Sequence, residues 1–252
     1  MKIQGKEIKD DMQLQVRHMV EQPLWLPLNY HHMLQSIIYH HLKLETTAYS
    51  SYVHEKGFFL GSRNFKLFTF SGLQGKYRIE DKKICFYEDI MFEVRSPEPL
   101  LIRILEENLK KQGITYFGQH YNNIVTTNLD NSVENDEIEI QMITPIVVYT
   151  TDTLTKKTEY YSPEQPEFCS LVVDNFRRKY IACYGVIPEN DITIEPIKLC
   201  SKDKYVTKYK NFYITGWKGK YRLIGKRKYL DFLYQTGLGS KNSQGFGMFE
   251  VL

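Results

Sequence analysis

The feature that most constrains this chain lies in residues 237–252, where Gly237 and Gly239 flank Leu238, and Gly245 and Gly247 flank Phe246. A polar insert carrying Lys241 separates the two pairs. Glycine has no Cβ, so such a loop can turn sharply and let another backbone come close. Amides turned outward from it would suit a phosphate. Two familiar phosphate loops are excluded by the residues themselves. A Walker loop needs Ser or Thr after its lysine and a helix beyond, whereas Lys241 precedes Asn242, and Gly245 leads into a strand-like Phe-Gly-Met-Phe run. The dinucleotide fingerprint fails because Asn242 stands where a third glycine belongs, with too little chain following for a βαβ unit. A nucleic-acid contact loop and a plain glycine-rich hairpin are the two readings left.

The charge distribution bears on that choice. Net charge is only +3 over 252 residues, and 42% hydrophobic with 25% charged content is that of an ordinary globular chain long enough for one large or two small domains. Between 202 and 228, however, ten basic residues, among them Lys218, Lys220 and Arg222, meet one acid, Asp203. They are interleaved with Tyr205, Tyr209, Phe212, Tyr213, Trp217 and Tyr221. Cations for phosphates and rings for bases are what a single-stranded RNA site uses; a solvated charged strand pair is the bland alternative. Cys85, Cys169, Cys183 and Cys200 form no CxxC pair and read as reduced core thiols. With no signal peptide and no long apolar run, the chain is expected in the cytoplasm, without a membrane partner.

Periodicity gives the organisation. Residues 13–20 alternate as a strand, with Leu14, Val16 and His18 on one side. Asn29 is the expected N-cap of a helix whose apolar face holds Tyr30, Leu34, Ile37, Ile38 and Leu42, with Tyr39 nearly opposite beside Gln35, His32 and Lys43. One or two further helical turns are expected over 48–54. Strands follow at 65–70 and 84–94 around a polar turn at 80–83; a helix runs from Ser96-Pro97-Glu98 to Gly113, and a strand covers 114–127. The order strand, helix, strand, strand, helix, strand is a ferredoxin-like unit. After an acidic, asparagine-rich linker at 128–136 the pattern restarts: a strand at 137–150, a helix from Pro166 with Phe168, Leu171, Val172 and Phe176 as its stripe, strands at 192–199 and 212–224, a helix at 227–235 and a strand at 246–252. The expectation is an α+β protein of two tandem ferredoxin-like (RRM-like) domains with antiparallel sheets, 1–130 and 131–252.

The full glycine pattern, Gly-apolar-Gly, five residues, Gly-apolar-Gly, resembles the loop of the CRISPR-associated RNA-binding superfamily. Leu26-Pro27-Leu28-Asn29-Tyr30, Ile38-Tyr39, Tyr52-Val53-His54-Glu55, residues 66–71 and Thr144-Pro145-Ile146-Val147 extend the likeness along nearly the whole chain. Together they resemble the CRISPR repeat-processing endoribonucleases, the sixth family of CRISPR-associated proteins. That resemblance implies cleavage of precursor RNA within repeats, without a metal or other cofactor, by 2′-hydroxyl attack on the adjacent phosphate. It maps a tyrosine, histidine and lysine set onto Tyr39, His54 and Lys66, and RNA binding onto Gly237, Gly239, Lys241, Gly245 and Gly247, with Lys218, Lys220 and Arg222 in support. The residue types suit the chemistry: imidazole moves protons near neutral pH, a lysine offsets phosphorane charge, and a tyrosine orients either group.

His32 and His40 are rivals for the histidine. Lys56 or Arg63 rival Lys66, because the connection over 58–64 is longer than the family pattern. His31/His32 and His40/His41 are adjacent pairs without the spacing that puts two ligands on one helix face. The partners implied are CRISPR repeat RNA, subunits of a CRISPR effector complex, or a second copy in a homodimer. A non-catalytic RNA-binding subunit of such a complex is the competing reading.

Overall fold

The computed structural model describes residues 12–43, 58–61, 63–209 and 212–252. In the first half, β1 (Gln13–His18), α1 (His31–Lys43), β2 (Thr69–Phe70), β3 (Ile90–Arg95), α2 (Pro99–Gln112) and β4 (Ile124–Asn128) follow in turn. Their sheet runs β4-β1-β3-β2 with every pairing antiparallel. This is the ferredoxin-like arrangement, in which the first and third strands are central and both helices connect across the sheet. β1 keeps the alternation of its sequence, burying Leu14, Val16 and His18. α2 ends where expected, at Gly113, whose φ of 66° suits glycine and whose N–H bonds to the Leu109 carbonyl.

The second half repeats the plan with β5 (Glu137–Met142), α3 (Pro166–Tyr184), β6 (Thr193–Lys198), β7 (Lys220–Ile224), α4 (Arg227–Thr236) and β8 (Phe249–Val251). Its sheet order, β6-β7-β5-β8, is the same arrangement read from the other edge. The protein is thus α+β, with two tandem ferredoxin-like units on antiparallel sheets. A hairpin of Lys204–Tyr209 against Phe212–Trp217 is inserted between β6 and β7.

Several expected elements differ. The strand expected over 114–127 is a hairpin, Ile114–Tyr116 against Gln119–Tyr121, followed by β4. Phe117 and Gly118 both take positive φ to make that turn, and an apolar residue at the tip disguised it. The run 84–94 divides: Lys83–Phe86 pairs with Leu24–Pro27 and Tyr77–Glu80, and only Ile90–Arg95 enters the main sheet. Arg63–Phe65 pairs back onto Phe58–Leu60, leaving β2 two residues long. The strand expected over 212–224 breaks at 218–219. Asn29 does not cap α1; the Tyr30 carbonyl accepts from Met33 and Leu34, while the Asn29 amide donates to the Lys208 carbonyl at 3.2 Å. The helical turns expected over 48–54 lie outside the described residues.

Each sheet has its own core. Leu14, Phe68, Phe70, Phe92, Ile102 and Leu105 belong to the first; Ile140, Phe168, Phe176, Tyr221, Leu230 and Leu233 to the second. The two are joined by more than the chain. Leu67, with Phe58 and Phe65 beside it, packs into the second core although it arises in the first half. Arg95 lies with its guanidinium 3.8 Å over the Tyr234 ring and donates to the Phe249 carbonyl at 2.7 Å. Of the four cysteines, all free, only Cys85 is buried, and Cys200 is exposed, so the expectation of four core thiols holds for one. Among the described residues, no helix is long and apolar enough to cross a membrane.

Candidate active site and nucleic-acid interface

The units meet along α1 and the glycine loop. Gly237, Gly239, Gly245 and Gly247 all have positive φ, between 65° and 85°, the region for which glycine is suited. Their amides do not all face outward as the sequence suggested. Gly237 N–H bonds to Leu233, Gly245 N–H to Asn242 and Gly247 N–H to Pro145, and all four glycines are buried. The loop is folded back between the units: a Cβ on Gly245 would come within 2.8 Å of the Phe70 ring and 2.9 Å of His31. What lines an open cleft is its tip, from Ser240 through Gln244, held from inside by the buried Asn242 amide donating to Leu238 and Phe246. Lys179 of α3, buried, donates from below to the Gly237 carbonyl and to Asn242 Oδ1.

Tyr39 is not on a free polar face. It is half-buried, edge-on to Phe68 at 5.6 Å, and hydrogen-bonded to Ser243 of the loop tip. Burial raises its pKa, against the smaller lowering by that hydrogen bond, so the phenol keeps its proton. One turn earlier Gln35 donates to the Ser243 carbonyl at 2.8 Å and accepts from the Tyr209 hydroxyl of the inserted hairpin. Lys66 lines a cleft of about 650 Å³ together with Arg63, Arg178, Lys241 and the loop tip. Burial lowers the pKa of Lys66, as it does that of Lys241, whose ammonium sits 4.8 Å from the Tyr149 ring centroid. The fold therefore brings Tyr39, Lys66, Lys241 and the loop tip to one region. His54 and Lys56 lie outside the described residues.

The rival histidines are elsewhere. His40 is exposed and opens, beside His41, on a separate hollow of about 310 Å³. His32 donates from Nδ1 to the Asn29 carbonyl at 2.8 Å. His31 stacks between Tyr30 and Phe246 at 5.1 and 6.3 Å, and its pKa falls to about 4 through burial first and then the Lys218 charge and His32. Lys218 thus belongs to the junction, whereas Arg222 pairs with Glu137 and Glu139 at 3.5 and 3.7 Å, and neither it nor Lys220 lines the cleft. Sequence reasoning missed Gln35 and Lys179. The second carried a signal, since Lys179 continues the Phe168, Val172, Phe176 stripe of α3, where a lysine must be buried. Among the described residues, no three His, Cys, Asp or Glu side chains are grouped to hold a metal.

Residues 129–251 match the family described as CRISPR associated protein Cas6, C-terminal. This part of the chain is similar to the C-terminal part of Cas6 proteins. The likeness to Cas6 proteins continues through the first half. The chain is 26% identical over 232 residues to the CRISPR-associated endoribonuclease Cas6 of Pyrococcus furiosus, covering 90% of this chain and 83% of that one. It is 24% identical over 252 residues to CRISPR-associated endoribonuclease Cas6 1 of Methanocaldococcus jannaschii, covering 96% and 93%. Among solved structures, a Cas6-related protein from Pyrococcus furiosus superposes with a TM-score of 0.78 at 21% identity, covering 96% of this chain and 98% of that one. A RAMP protein described as binding different RNA substrates gives 0.78 at 22%, covering 96% and 99%. At those identities the structures speak for the fold, and they agree with the two-unit Cas6 architecture. The resemblance drawn from the glycine pattern holds.

Proposed function

We propose that the protein is a Cas6 endoribonuclease that cuts precursor CRISPR RNA within its repeats to release guide RNAs, without a metal ion. The observation that carries this reading is that the glycine-loop tip lines one cleft with Lys66 and is hydrogen-bonded, through Ser243, to Tyr39. In the reaction, the 2′-oxygen bonds to the adjacent phosphorus, the bond from phosphorus to the 5′-oxygen breaks, and the products carry a 2′,3′-cyclic phosphate and a 5′-hydroxyl. A proton leaves the 2′-hydroxyl and one reaches the 5′-oxygen; His54 is the group assigned to that transfer. Tyr39, which stays protonated, orients by donating a hydrogen bond and does not act as a base. The partly desolvated ammonium of Lys66 faces the extra charge of the phosphorane more strongly than a hydrated one would. Residues 1–130 supply these reacting groups, while 131–252 supply the loop tip with Lys241, and Lys218 at the junction, for the RNA backbone. The protein works in the cytoplasm, on repeat RNA.

The test is incubation of the repeat RNA of its own locus with the protein in excess EDTA. Cleavage should persist and leave a 5′-hydroxyl end. Cutting that requires added metal, or a 5′-phosphate product, contradicts the mechanism; tight binding without any cutting points instead to an RNA-binding subunit.

A further inference from the structure

Two side-chain amides in the cleft have no task in this account. Among the described residues, Asn175 Oδ1 on α3 and Gln244 Oε1 at the loop tip are buried and accept no hydrogen bond, and both residues line the same cleft. A buried acceptor without a donor calls for an explanation, and an absent ligand is one. Asn175 is held only by its amide nitrogen, 3.4 Å from the Ser240 hydroxyl. Exchanging its oxygen and nitrogen would still leave half of the amide unpaired. The last torsion of such side chains is broad, so rotation about it can re-aim either oxygen.

The wall also carries several cations. Arg63, Lys66, Arg178 and Lys241 line it, against one lining carboxylate, Asp174, which lies 3.9 Å from Arg178. Cations beside unpaired amides suit a nucleotide, with its phosphates on the former and its base on the latter. An amide presents a donor and an acceptor side by side, which matches the amino group and neighbouring ring nitrogen of adenine. A cleft of about 650 Å³ has the size of a site for one small ligand. We infer that the cleft is a nucleotide subsite that takes one unpaired adenosine of the RNA, read by Asn175 and Gln244 and flanked by phosphates on Lys66 and Lys241. The identity of the RNA in this inference rests on the repeat-processing reading.

The experiment uses the full chain and its repeat RNA, with each adenosine replaced in turn by purine riboside, the same ring without its amino group. Affinity and cutting are measured in EDTA for the wild type, for Asn175→Ala and for Gln244→Met, with melting temperatures as a control for folding. At one adenosine the replacement should weaken wild-type binding about tenfold, the scale of a bidentate contact, and each variant should lose most of that penalty. Because the two substitutions lie on different elements, loss of folding in one leaves the other to decide. Wild type that binds and cuts but is indifferent to every replacement overturns the subsite alone, as does a penalty that persists in both variants. Wild type that neither binds nor cuts the repeat overturns the repeat-processing reading as well.

Discussion

At Gly247 the fold leaves no room for a side chain: φ is +78°, and a Cβ there would lie 2.0 Å from the Leu238 carbonyl oxygen. Gly247→Val is therefore expected to lower the melting temperature by roughly 5 °C or more, from backbone strain and displacement of the loop. Its folded fraction should bind RNA with an unchanged salt dependence. Lys241→Ala should do the reverse, leaving stability nearly intact while flattening the slope of log affinity against log salt by about 0.7, one single-strand phosphate. Both follow from the inward amides, and a valine variant that folds normally but loses RNA would contradict them. Four glycines at the right spacing made the loop legible in the sequence; which way its amides turn was not, because glycine permits either. For the chemistry, His54→Ala should slow single-turnover cutting by roughly 10²- to 10⁴-fold with little loss of affinity. Normal cutting by that variant would move the role to another histidine.

Among the elements, α3 is the least expected contributor, because it holds the loop from beneath through Lys179. Burial pushes the Lys179 pKa down to about 7, from an ordinary value of 10.5. Between those values the unfolded chain binds more proton than the fold, so this group's share of stability is present above pH 10.5 and is lost as pH falls toward 7. Denaturant midpoints of wild type and Lys179→Met, compared between pH 7 and pH 10, should show the wild type gaining on the variant as pH rises. A gap that does not change with pH would mean that the buried amine is not the titrating group. The helices were legible because their stripes and stops are local: Gly113 ends α2, and Phe168, Val172 and Phe176 bury one face of α3. Strands were read too long wherever a hairpin turn sits on residues of ordinary character. Phe117 at a tip is one case, and Asn29, drawn away by the Lys208 carbonyl, shows a long-range partner displacing a local cap.

In the whole molecule, two ferredoxin-like units of the same topology share one interface, and the interface carries the proposed site. Neither unit holds it alone: Tyr39 and Lys66 come from the first, and Ser243, Lys241 and Lys179 from the second. The tandem repeat was readable from the order of strands and helices, and the likeness to Cas6 proteins from the glycine pattern. The cleft between the units was not, since it depends on how Phe65, Leu67 and the loop tip cross from one half to the other. The central claim is that this cleft activates a nucleophile internal to the RNA, and a single 2′-deoxy substitution at the nucleotide before the cut tests it most directly. The substituted repeat should be bound with unchanged affinity and should not be cut in EDTA. Cutting of the deoxy substrate at that position would show that the attacking oxygen comes from elsewhere and would contradict the account.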